Sequence, residues 1–294
     1  MRFTRRLGDT GLTVSRLCYG TEPFTFKKGP EGAKTQGDIP PPEGGRRLAE
    51  AYRLGVNFWD TSDDYGTHPH VAEGLKLVPR GEVVVADKTN AHTYDEGVKA
   101  VELSLRDLGT EHVDIMFLHI VPPTPVEKRD AAGRPYVSGP LSSRMGALKA
   151  FLDAKETGQV RATALSTHST ETLRQALEVP EVDVVCTTLN MAGAYVDDGT
   201  QEDRIEAIRN LHDAGKFVYV IKILHAGRLR AQAEEAIRYA LQFHEYIDAW
   251  KIGMYDLGDV RRTSSSSTRS SHRLRLLFIW ESDMKLGSLS HEVT

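Results

Sequence analysis

Residues 83–119 read VVVADKTNAHTYDEGVKAVELSLRDLGTEHVDIMFLH. The apolar run from Val83 to Lys88 suits a buried strand and is too short for a helix. Thr93 and Glu96, three residues apart, form a capping box that opens a helical pattern over Asp95 to Leu108, and Gly109 stands where that helix should stop. A second apolar run, Val113 to His119, follows. Strand, helix and strand in this order predict a parallel βαβ unit whose strands are buried on both faces.

The same alternation runs outward in both directions. Further strand candidates are Arg16 to Gly20, Asn57 to Asp60, Val160 to Ser166, Val182 to Leu189, Phe217 to Ile223 and Ala249 to Met254. Helical patterns lie at Gly45 to Leu54, Val71 to Leu77, Ser142 to Thr157, Thr170 to Glu178, Gln201 to Ala214 and Ala231 to Phe243, with a cap at Ser169 and stops at Gly158 and Gly215. Eight short runs, each but the last followed by a helix, predict one α/β parallel (β/α)8 TIM barrel rather than two open sheets. An Asp9-Thr10-Gly11 turn between two β-like pieces predicts an N-terminal β-hairpin that plugs the barrel bottom. The barrel is expected to occupy residues 1–262, and the Ser-rich atypical C-terminal tail, 263–294, reads as linker or disorder, with a short helix at Leu274 to Trp280 as one option. Two long connections, Thr25 to Gly44 and Val121 to Leu141, read as βα loops on the C-terminal face. They either cover a pocket or are bare surface.

Composition narrows the function classes. Of 294 residues, 40% are hydrophobic and 27% charged, as in ordinary globular chains, and a net charge of −4 gives no footprint for nucleic acid. No apolar stretch approaches the roughly 18 residues of a membrane helix, and MRFTRRLGDTG lacks the apolar run of a secretory signal, so a cytoplasmic enzyme with no membrane partner is expected. Cys18 and Cys186 stand far apart in apolar segments and read as small core residues, with no CxxC pair for a metal.

In this barrel, chemistry gathers at the C-terminal strand ends. Strand two ends in Asp60 and runs into Thr61-Ser62-Asp63-Asp64-Tyr65-Gly66; strand three ends in Lys88 and strand four in His119. Taken singly, each has an ordinary structural explanation, as a helix cap, a solvated charge or a buried imidazole. Together they suit carbonyl reduction. A free phenol, with a pKa of about 10, is a poor acid at neutral pH unless a cation lowers it. Lys88 supplies that charge, Asp60 holds the ammonium, and His119 directs a carbonyl oxygen.

These residues, with RRLGDTGLTVSRLCYGT, NFWDTSDDYG, VVVADK, DIMFLHIV and GQVRATALSTHS, resemble the aldo-keto reductase family over residues 3–256. The resemblance implies NADPH-dependent reduction of a small aldehyde or ketone, with Asp60, Tyr65, Lys88 and His119 as the catalytic tetrad and no metal ligands. It places the cofactor along Gly20, Thr21, Asp60, Ser166, Thr167, Cys186, Lys222, Leu224, Gly227, Gly253, Arg261 and Arg262. Where the family has a Ser-Asn pair, a Gln and a stacking aromatic, this chain has Ser166-Thr167, Cys186 with Asn190 nearby, and Ile221-Lys222. Lys222 meets the cofactor phosphates or is an exposed charge. Beyond Arg262 the chain departs from the family helix that holds the adenosine phosphate, so weakened NADPH binding is expected. Two rivals stand beside this reading. One is a nucleotide-binding relative with weak catalysis; the other is a metal-dependent hydrolase using His68 and His70 with Asp63, Asp64 and His119, although His68 and His70 fall in a loop after Tyr65-Gly66.

Overall fold

In the computed structural model, which describes residues 4–28, 34–129 and 135–254, the eight apolar runs become parallel strands that close into one barrel. A hairpin of β1 (Thr4–Leu7) and β2 (Leu12–Ser15) comes first, paired from Thr4 opposite Ser15 to Leu7 opposite Leu12. The barrel then starts with β3 (Leu17–Gly20). After it come a short ribbon of β4 (Phe26–Lys28) and β5 (Lys34–Gln36), α1 (Pro41–Arg53), β6 (Phe58–Asp60), α2 (His68–Leu75), β7 (Val84–Thr89), α3 (Tyr94–Leu108) and β8 (Val113–Leu118). A second ribbon, β9 (Val126–Arg129) with β10 (Pro135–Ser138), leads to α4 (Met145–Glu156) and β11 (Val160–Thr167). The described chain finishes with α5 (Thr170–Leu177), β12 (Val184–Thr188), α6 (Gln201–Asp213), β13 (Phe217–Ile221), α7 (Ala233–Leu241) and β14 (Ala249–Gly253), which pairs with β3 and shuts the barrel.

Side chains alternate across each strand, and the alternation builds two cores. Trp59, Val85, Met116, Val185, Val218, Val220, Trp250 and Ile252 face the helices. Cys18, Phe58, Val84, Ala86, Ile115, Phe117, Ala162, Ala164, Val184, Cys186, Phe217, Tyr219 and Ala249 fill the interior together with Leu7, Leu12 and Val14 of the hairpin. The hairpin is therefore the barrel's floor, and both cysteines are free and buried in its filling.

Three readings of the sequence need correction. Helix α1 begins at Pro41, not Gly45, because proline at the first helical positions already has the right φ and has no N–H to satisfy. Helix α2 begins at His68, so His68 and His70 lie on a helix rather than in a loop. The two long connections are not plain loops: each carries an antiparallel ribbon, with Phe26 opposite Gln36 and Val126 opposite Ser138. The tail, the Leu274–Trp280 segment, Arg261 and Arg262 lie outside the described residues.

Candidate active site

The mouth of the barrel follows from the period of two. Phe58 is followed two places on by Asp60, Ala86 by Lys88, Phe117 by His119, Ala164 by Ser166 and Ala249 by Lys251. In each pair the first residue belongs to the apolar filling, so the second rises from the same face one layer higher. The polar layer thus rests on an apolar one, where charge is strongly felt because water is scarce.

Asp60 is fully buried at its centre. Its Oδ1 accepts from Lys88 Nζ at 2.5 Å and from Lys251 Nζ at 2.5 Å, and its Oδ2 accepts from the Tyr219 hydroxyl at 2.7 Å. Burial alone would raise the Asp60 pKa; the ammonium groups of Lys251 and Lys88 outweigh it and hold the carboxyl below its usual value. Lys88 also donates to the Thr61 carbonyl at 2.6 Å. Burial lowers its pKa against the pull of Asp60, whereas Asp60 raises Lys251 well above the usual lysine value despite burial.

Tyr65 lies to one side of the two cations: its ring centroid is 5.3 Å from Lys88 Nζ and 5.2 Å from Lys251 Nζ. Its hydroxyl accepts from Lys251 Nζ at 3.5 Å. Burial pushes the phenol well above its usual pKa, and Lys251 acts against that rise. The His119 ring meets the Tyr65 ring edge-on at 5.7 Å. Its Nδ1 faces Ser62 Oγ at 3.3 Å and Asp64 Oδ2 at 3.5 Å. Burial keeps the imidazole below its usual pKa, with Asp64 opposing, so the neutral ring prevails at pH 7. Tyr65, Lys88, His119, Ser166, Thr167 and Lys222 share the lining of one cavity of about 110 Å³.

Two buried arginines clamp the strand ends. Arg144, just before α4, donates to the carbonyls of Ala91 at 3.0 Å, His119 at 2.8 Å and Thr89 at 2.7 Å. Arg204 on α6 reaches Thr188 Oγ1, the Tyr195 carbonyl and the His168 carbonyl. Ile120, directly after His119, has φ +45, a left-handed backbone rare for a β-branched residue. It is held from both sides, its N–H donating to Ser166 Oγ at 2.8 Å and its carbonyl accepting from Ser138 Oγ at 2.9 Å.

The residues expected along the cofactor divide. Ser166 keeps its own hydroxyl proton, since its oxygen serves as acceptor, and Cys186 also lines the cavity. Thr167 donates its hydroxyl to the Val121 carbonyl at 2.6 Å. Asn190 spends its amide on Ala192 and Ala194 of its own loop. Thr21 is buried, donating to the Asp60 carbonyl at 2.9 Å and meeting Thr67 at 2.8 Å, which fixes the loop rather than presenting a donor to the cavity. Lys222, at φ +62, stands at the rim 3.9 Å from Glu22, while Leu224 and Gly227 shape the turn beyond it and lie outside the cavity lining. Gly253 gives room to Pro23, whose Cγ would be 2.9 Å from an added Cβ. His68 and His70 serve the protein: His68 Nε2 pairs with Asp87 at 2.9 Å and His70 Nε2 with the Ile39 carbonyl at 2.7 Å.

Lys251, Tyr219, Arg144 and Arg204 have no place in the reading of the sequence. Lys251 carries a usable signal: in AWKIG it falls on the same face as Ala249, so a strand that faces the interior presents a lysine to it.

A family model described as the Aldo/keto reductase family matches residues 16–246. L-galactose dehydrogenase of Arabidopsis thaliana is 34% identical over 128 residues, 39% of this chain and 37% of its own length. The NADP(+) aldo-keto reductase yakc of Schizosaccharomyces pombe is 28% identical over 201 residues, 62% of this chain and 50% of its own. The aligned stretches thus span half or less of these relatives. Among solved structures, the holo form of an aldo-keto reductase from Bacillus halodurans has a TM-score of 0.67 at 18% identity, covering 94% of this chain and 95% of that one. A Bombyx mori aldo-keto reductase in complex with NADP has a TM-score of 0.66 at 16% identity, covering 92% and 91%. At such identities the likeness is one of fold.

Proposed function

The chain belongs to the aldo/keto reductase family and is an oxidoreductase, and from this premise we propose that it reduces a small aldehyde or ketone to the alcohol with NADPH, Tyr65 supplying the proton. The observation that carries the proposal is the convergence of Tyr65, Lys88 and His119 on one cavity, with Asp60 fixing the charge beneath them.

The described residues fit the nicotinamide half of the cofactor. Ser166 offers an unspent hydroxyl proton to the cavity, and Lys222 places a cation at the rim. When bound, the reduced nicotinamide supplies the hydride. The chain's own groups do the rest. A substrate carbonyl oxygen takes the place beside the Tyr65 hydroxyl, with the His119 ring at its side to orient it. Tyr65 transfers its proton to that oxygen, and the positive charge held around Asp60 stabilises the phenolate left behind. The apolar layer below the cavity keeps water from the developing charge.

Tyr65→Phe tests this directly. Turnover of an aldehyde panel should fall on the order of 10²- to 10⁴-fold, while NADPH affinity, read by fluorescence titration, stays within about twofold, below the roughly 1.4 kcal/mol of a tenfold change. Full activity in the variant would remove Tyr65 from the role. The adenosine end rests on Arg261 and Arg262, and the same titration with NADH beside NADPH reads whether those arginines recognise the extra phosphate.

A further inference from the structure

The phenol of Tyr65 has two lysines beside it, almost equidistant from its ring, and only one touches its oxygen. Lys88 Nζ is engaged below, with Asp60 Oδ1 at 2.5 Å and the Thr61 carbonyl at 2.6 Å. Lys251 Nζ shares that carboxylate at 2.5 Å and donates to the Tyr65 hydroxyl at 3.5 Å. The barrel makes room for it. An added Cβ on Gly20 would stand 2.7 Å from Lys251 Cε, closer than real Cβ atoms approach, and 3.3 Å from Lys251 Cγ, a tight contact, so the lysine stem runs through the space this glycine leaves. Gly20 and Gly253 are partners on the adjacent strands β3 and β14, two residues beyond Cys18 opposite Lys251. No side chain from β3 therefore stands between the lysine and the phenol.

We propose that Lys251 is the cation that sets the proton affinity of Tyr65, that Lys88 chiefly anchors Asp60, and that Gly20 is a positioning residue for Lys251 rather than a cofactor contact. This rests on the reading of Tyr65 as proton donor. When Tyr65 gives its proton to the oxygen of the carbonyl whose carbon receives the hydride, the phenolate oxygen forms next to an ammonium already in contact with it. Lys251 is charged before and after the step, so no further proton need enter for the product to form. The groups facing Lys251 are Asp60 and Tyr65, with Lys88, Cys18 and Cys186 around them; Asp60 holds it protonated across the working range.

The experiment places 3,5-difluorotyrosine at position 65 in the full chain and follows its ionisation by fluorine NMR, a readout that needs no turnover. Lys251→Met should raise the pH of half-ionisation by at least one unit, a tenfold change, and Lys88→Met by distinctly less. Gly20→Ala, which drives a methyl group against the lysine stem, should shift it the same way as Lys251→Met. It provides the reading if Lys251→Met fails to fold. An unchanged titration in Lys251→Met, or in Gly20→Ala where that variant provides the reading, or a Lys88→Met shift as large or larger, overturns the proposal. NADPH-dependent reduction by the unmodified chain is measured alongside. Its absence together with a Lys251-dependent titration would refute the reductase reading alone, and its presence with a Lys251-independent titration would refute the role of Lys251 alone.

Discussion

Arg144 Nη1 donates to the carbonyl of His119 at 2.8 Å, so a side chain from the threshold of α4 fixes the backbone of a residue that lines the candidate cavity. The guanidinium is fully buried and donates to three carbonyls, a fork that lysine cannot reproduce. Burial lowers its pKa to about 10, which still leaves it charged at neutral pH.

Arg144→Met should therefore strand the carbonyls of Thr89, Ala91 and His119 and lower stability by about 3 kcal/mol. Urea unfolding measures this. KM for the carbonyl substrate should rise more than the NADPH dissociation constant, because the displaced strand end carries His119. A variant as stable as the wild type would mean that water replaces the guanidinium without loss.

Asp63 gives the chain a dependence on pH. Burial, with Asp87 nearby, raises its carboxyl to about 7 from the usual 3.8. The folded state thus prefers the neutral acid. Its contribution is fully present below the unfolded pKa and is lost as pH rises from about 4 through 7. Asp63→Asn should remove this slope and be more stable than wild type at pH 8 by about 1–2 kcal/mol, allowing for partial exposure. Parallel pH–stability curves for the two proteins would show that Asp63 is not the titrating group.

The hairpin floor yields a prediction that separates stability from catalysis. Leu7 is wholly buried beneath the barrel, at the far end from Tyr65. Leu7→Ala should cost about 2–5 kcal/mol in unfolding free energy and leave turnover at 25 °C unchanged. A loss of turnover without a loss of stability would place the hairpin's role elsewhere.

The barrel was legible because its strands are short β-rich runs and its helices carry end signals such as the Thr93–Glu96 box, which the structure reproduces in full. Local punctuation misled where proline and histidine looked like loop residues: Pro41 and Pro42 start α1, and His68 and His70 sit on α2. Tyr65, Lys88 and His119 were legible as strand-end or motif residues. Arg144 and Arg204 were not, since most of their partners are backbone carbonyls 9–55 residues away, and no side-chain pattern records a carbonyl. Lys251 escaped because a lysine within a strand reads as solvated unless the facing residue is known to be glycine, and that pairing of β14 with β3 spans almost the whole described chain.

Ile120 sets a limit on how far the molecule can be improved. Its left-handed backbone stores about 1–3 kcal/mol of strain, and glycine in that place would release much of it. A selection for heat tolerance alone would be drawn to this position. Yet the strained peptide is the link between His119 and Ser166, and relaxing it would free the imidazole to wander from the cavity it lines. Variants that gain thermal resistance here should be the ones that lose turnover, so that robustness and speed compete at a single residue.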